Sequence, residues 1–123
     1  MKGNLIQVSF KNKNLNEIII KGMAQSTYYI VNDSTYLMGF NEATGDTISL
    51  KYINKDLNRV LVKGDARGVF YPEAGQTKID SILEYKAYNI DYNIKEQMTF
   101  LDDKVEIKYY NTELTSNNVT VNW

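Results

Sequence analysis

Residues 6–29, IQVSFKNKNLNEIIIKGMAQSTYY, align without a gap on residues 48–71, ISLKYINKDLNRVLVKGDARGVFY, at an offset of 42. Nine of the 24 positions are identical: Ile6/Ile48, Asn12/Asn54, Lys13/Lys55, Leu15/Leu57, Asn16/Asn58, Lys21/Lys63, Gly22/Gly64, Ala24/Ala66 and Tyr29/Tyr71. Most of the others exchange apolar for apolar, as in Val8/Leu50, Phe10/Tyr52, Ile18/Val60 and Ile20/Val62. Turn residues match as well as strand residues, so the chain is built from a duplicated unit. β-Branched and aromatic residues alternate with polar ones at the period of half-buried strands. Each unit therefore reads as a strand, a tight Asn/Lys/Asp turn and a second strand.

A weaker third copy follows. YNIDYN answers ISLKYI, and LDDKVEIKY answers VKGDARGVF with Asp103 at the glycine position. TELTSNNVTVNW then resembles NEATGDTISLKY, which sets Val119, Val121 and Trp123 against Ile48, Leu50 and Tyr52. Turn-like clusters fall at KNKNLN, VNDS, NEATGD, NKDLN, PEAGQ and LDDK, and the expected strands between them run about five to ten residues. The only proline is Pro72. The expectation is an all-β, repeat-built, single domain over residues 1–123, with two facing antiparallel sheets whose alternate side chains point inward. The pattern starts in register at residue 6 and stops in mid-unit at Trp123, so the chain reads as a whole protein or as a piece of a longer one. Ile6, Val8 and Phe10 at one end and Val119, Val121 and Trp123 at the other are expected on unpaired strand edges, templates for pairing with another chain.

On this parity the inner face carries Ile6, Val8, Phe10, Ile18, Ile20, Ile48, Leu50, Tyr52, Val60, Val62, Phe70, Ile90, Tyr92, Leu101, Val105 and Ile107. Small residues interrupt it at Gly22, Ala24 and Ser26, and again at Gly64, Ala66 and Gly68. Glycine weakens a strand and often marks a close approach of another group. One reading is an apolar groove, slightly open, whose width suits an elongated acyl chain. Another is that the small residues mark β-bulges or let the two layers close.

Composition removes several functions. The 14 basic and 15 acidic residues leave a net charge of −1, with no basic stripe for nucleic acid or an anionic membrane. Cysteine and histidine are both absent, which excludes disulfides, thiolate metal sites, Ser-His and Cys-His catalysis and the near-neutral general base. No apolar run is long enough for a membrane helix, and MKGNLIQVSF lacks the apolar segment of a signal peptide.

Asp102 and Asp103 are adjacent and would point to opposite faces of a strand, the wrong arrangement for shared acid–base work. VNDSTY and NEATGD cluster oxygen ligands without the spacing of a calcium loop, and Asn and Asp are ordinary turn residues. The sequons at Asn32-Asp33-Ser34 and Asn118-Val119-Thr120 carry little meaning by themselves. Ten tyrosines are explained as strand residues with one wet edge. No catalytic residue, metal ligand or cofactor is expected.

Residues 21–73, with Gly22-x-Ala24-x-Ser26, GFNEATGD from Gly39 to Asp46 and the closing GVFYP at 68–72, resemble the OstA-like proteins related to LptA. Residues 85–123 are similar to the repeat shared by LptA and the N-terminal domain of LptD, so the resemblance covers about residues 15–123. It implies a slightly open β-jelly-roll and a non-enzymatic, periplasmic lipid-binding module that carries lipopolysaccharide acyl chains toward the outer membrane. Its implied partners are lipopolysaccharide or a related lipid, other LptA-, LptC- or LptD-like domains stacked edge to edge, and further copies of itself head to tail. Asp103 departs from the family repeat, which usually has glycine there. A self-assembling β-repeat protein with a closed interior and a carbohydrate-binding β-sandwich remain the alternatives.

Overall fold

Asn12 and Lys13, and again Asn54 and Lys55, take left-handed backbone conformations, with φ of 51°, 66°, 51° and 73°. Each pair links two paired strand ends, Lys11 to Asn14 and Ile53 to Asp56. Two consecutive left-handed residues make the hairpin connection whose twist matches that of the flanking strands. The repeated Asn-Lys is thus a repeated turn.

The computed structural model describes residues 1–31, 37–73 and 81–122. The turn and sequon residues Asn32 to Ser34, the calcium candidate VNDSTY beyond Val31, the part of PEAGQ beyond Glu73, and Trp123 lie outside the described residues. The strands are β1 (Leu5–Lys11), β2 (Asn14–Val31), β3 (Leu37–Ile53), β4 (Asp56–Pro72), β5 (Leu83–Asn93), β6 (Met98–Tyr109) and β7 (Thr112–Asn122). They form one antiparallel sheet in the order β1-β2-β3-β4-β5-β6-β7, every strand beside its chain neighbour.

Three strands reach 17 or 18 residues, longer than expected. NEATGD and LDDK are not loops but bends inside β3 and β6. The register slips at Lys21/Ala24, Thr44/Thr47, Lys63/Ala66, Lys86/Asn89 and Asp102/Val105, so a line of β-bulges crosses the sheet from β2 to β7. A bulge bends its strand and raises the local twist. Aligned bulges crease the whole sheet. The two expected facing layers are consequently the two halves of one sheet.

The crease brings the halves face to face. Tyr28, beyond the bulge of β2, meets Tyr92, on the other half of β5, edge to face at a ring separation of 5.3 Å. Between the halves lies the core, in which Ile20, Ile48, Val60, Val62 and Phe70 are fully buried. Burial of each such side chain stabilises the fold by about 1.5–3 kcal/mol. In the third unit Ile90 takes the place of Ile48, pairing with Val62 as Ile48 does from the other side. YNIDYN is thus displaced by two residues from its sequence alignment, which leaves the facing of its side chains unchanged.

Candidate functional site

The inner face is closed in the middle and open toward both outer strands. Ile18, Ile20, Ala24, Ile48, Leu50, Val60, Val62, Ala66, Phe70, Ile90, Leu101 and Val105 pack together with at most 8% of their surface exposed. They fill the centre as a core instead of lining an open channel there. Tyr52 is half-buried against them.

The glycines also sit against neighbouring side chains. Gly22 and Gly64 sit on bulges at φ 78° and 80°. A β-carbon at Gly22 would meet Asn4 Nδ2 at 2.6 Å, and one at Gly64 would meet Asp46 Cγ at 2.8 Å. At Gly68 it would meet the Tyr85 ring and Tyr92 Oη, the latter at 2.5 Å. The space these glycines release is taken by the chain's own side chains.

Toward β1 the inner face is uncovered. Ile6, Val8 and Phe10 stand opposite Ile20, Ile18 and Leu15, yet are 44%, 51% and 68% exposed, because β1 is an outer strand that no described residue covers. Toward β7 there is a cavity of about 430 Å³. Gly68, Tyr85, Ile107 and Leu114 stand in register across β4 to β7 and supply its apolar wall. Charged residues alternate with them, and Lys86 pairs with Glu106 at 2.9 Å and Lys108 with Glu113 at 3.7 Å. A shallower depression continues over the β6–β7 bulge at Lys104, Val105, Ser116 and Asn117. Half-buried Val119 and Val121 extend the inner face along β7. Tyr85 and Leu114 were missed by the sequence reading, although their alternation with Glu84, Lys86, Glu113 and Thr115 marks the inner face.

Behind Tyr85 the core turns polar. The Tyr85 hydroxyl donates to Asn41 Oδ1 at 2.6 Å, and its ring meets Tyr92 edge to face at 6.1 Å. Tyr28 packs on Tyr92 with Thr99 beside both, and Ser26 is buried on the same strand as Tyr28. Burial pushes the phenols of Tyr28, Tyr85 and Tyr92 well above their ordinary value, so all three are neutral at physiological pH. The acidic residues of NEATGD do not converge: Glu42 lies by the Tyr71 hydroxyl at 3.4 Å, while Asp46 covers Gly64.

No protein-family model and no curated protein sequence matches the chain. Among solved structures it is similar to LptH of Pseudomonas aeruginosa, the LptA-homologous periplasmic component of the conserved lipopolysaccharide transport device. The two agree with a TM-score of 0.66 over 97% of this chain and 71% of LptH, at 13% sequence identity. The chain has an LptA-like fold. Asp103, the departure from the glycine of LptA-like repeats, keeps the backbone of that pattern: Asp103 and Lys104 have φ of 70° and 53°, beside 80° and 45° at Gly64 and Asp65. Asp tolerates the left-handed region better than most residues, so the bulge survives the substitution.

Proposed function

We propose that this chain is a non-enzymatic lipid carrier that holds the acyl chains of lipopolysaccharide or a related lipid on the inner face of its creased sheet and passes them across the periplasm. The observation that carries this reading is the cavity of about 430 Å³ walled by Gly68, Tyr85, Ile107 and Leu114, in a fold shared with LptH. An apolar wall beside charged edges suits an amphiphile.

The outer strands support the second part of the reading. β1 exposes Ile6, Val8 and Phe10, and β7 carries Leu114, 45% exposed, beside Val119 and Val121. Pairing β1 of one copy with β7 of the next would cover these side chains and join successive inner faces into one track, the head-to-tail geometry that builds open filaments. LptA-, LptC- or LptD-like domains would dock on the same edges.

Native mass spectrometry after mild purification tests the carrier role. A species heavier by the mass of a lipid, lost in Leu114→Asp, is the expected result. The filled centre of the sheet favours a second reading, a self-assembling β-repeat with a closed interior. Bare oligomers with no lipid at any mild condition would favour that one.

A further inference from the structure

The turns between β1 and β2, β3 and β4, and β5 and β6 all lie at one end of the sheet, because its strands run antiparallel in chain order. Neighbouring turns of this row are two strands apart, about 9–10 Å. Each carries an exposed lysine: Lys13, Lys55 and Lys95, with Lys11 beside the first. None of the four is in an ion pair among the described residues. The carboxylates beside them are Asp56 and Glu96. The next charges along the strands offset one another, since Arg59 pairs with Asp91 and Lys51 stands opposite Glu17. The chain as a whole carries −1, so this end is positive on a molecule that is otherwise negative.

The turn itself does not call for lysine. Asn12-Lys13 and Asn54-Lys55 are left-handed at both positions, a connection that favours Asn-Gly because glycine takes positive φ without steric penalty. Lysine at φ 66° or 73° is strained, yet both copies of the unit place one there. A residue that weakens its own turn in both copies points to a use for its side chain.

An apolar strip leads to this end. Ile6, Val8 and Phe10 of β1 are uncovered on the inner face, and Phe10 is next to Lys11. Apolar surface running into unpaired cations fits an anionic amphiphile, with its alkyl chain on the strip and its charge at the turns.

We propose that Lys13, Lys55 and Lys95, with Lys11, form a site for phosphate on the headgroup of the carried lipid. This rests on the lipid-carrier reading and deepens it, because the carrier would then hold its guest by both ends. In a head-to-tail stack the same turns would recur along one side of the track.

Displacement of a fluorescent fatty acid by oleoyl lysophosphatidic acid and by monoolein, each below its micelle concentration, tests the site. The two differ by one phosphate on the same glycerol and chain. The wild type should bind the phosphate-bearing lipid on the order of tenfold more tightly, and high salt should shrink the preference. In Lys13→Gly/Lys55→Gly it should fall to about threefold or less, with monoolein affinity unchanged. That variant should melt no lower than the wild type, since glycine relieves both turns, so its lost preference is not lost folding. Lys13→Gln/Lys55→Gln should show the same fall and serves if the glycine variant does not fold. Inorganic phosphate at the same concentration should not compete, and competition there would make the turns a free-phosphate site and overturn the headgroup assignment. Equal affinities in the wild type, or a preference that survives undiminished in both variants, would also overturn it while leaving the carrier role standing. Failure of both lipids to displace the probe would overturn the two together.

Discussion

The ring of Tyr85 lies over the bare Cα of Gly68, its cross-strand partner, in the volume that a side chain there would need. A glycine in a strand forfeits about 0.5–1 kcal/mol relative to alanine, and an aromatic ring packed across it recovers apolar contact. The row of small residues in VLVKGDARGVFYP is thus explained at this position by a tyrosine of the next strand.

Gly68→Ala should destabilise the fold by about 1–3 kcal/mol, the usual range for overpacking. Urea denaturation measures it. In a Tyr85→Leu background the same change should be much milder, because contacting residues couple. An equal loss in both backgrounds would contradict the packing described.

The crease makes a prediction of opposite signs. Gly64→Ala places a β-carbon at φ 80° against the Asp46 side chain and should cost more than about 1 kcal/mol. Asp103→Gly, at φ 70°, should be neutral or stabilising by up to about 1 kcal/mol. Thermal denaturation of the two variants decides it, and a destabilised Asp103→Gly would mean that the aspartate side chain itself holds the bulge.

Alkaline pH should unfold the protein early. Tyr28, Tyr85 and Tyr92 have phenols raised above 10.0 by burial, so above that pH the unfolded chain loses protons that the native chain retains. Their contribution is fully present below pH 10 and is lost as pH rises toward the native values. Each proton that the native state retains and the unfolded chain releases steepens the loss of stability with pH. Stability by urea titration should be lower at pH 11 than at pH 9, and Tyr92→Phe should flatten the slope.

Much of this architecture is legible in the residues. The Asn-Lys turns, the alternation that buries Ile48 and Val62, and the equivalence of Asp103 with Gly64 all follow from matching one repeat on another. What the pattern conceals is the curvature. Alternation reports which face a side chain takes, not whether anything lies opposite, so Ile20 and Val8 look alike although one is buried and the other half exposed. The crease arises from left-handed residues whose signal at Met23, Asp65 and Lys104 is not glycine at all. The polar cluster was hidden for the same reason: Tyr28, Asn41 and Tyr92 come from three separate strands and meet only after the sheet folds over.

The exposed edge gives a prediction about assembly. Sedimentation of the wild type should show mass rising with concentration, whereas Val8→Lys, which sets a charge on the inner face of the outer strand, should stay monomeric. A wild type that remains monomeric at high concentration would remove the head-to-tail arrangement.

Photo-crosslinking of purified lipopolysaccharide is the most direct test of the carrier role. A benzophenone amino acid at Ile107, on the inner face beside the cavity, should form a lipopolysaccharide adduct, and one at Phe100, on the exposed outer face, should not. No adduct at Ile107, or adducts of equal yield at both positions, would contradict the account.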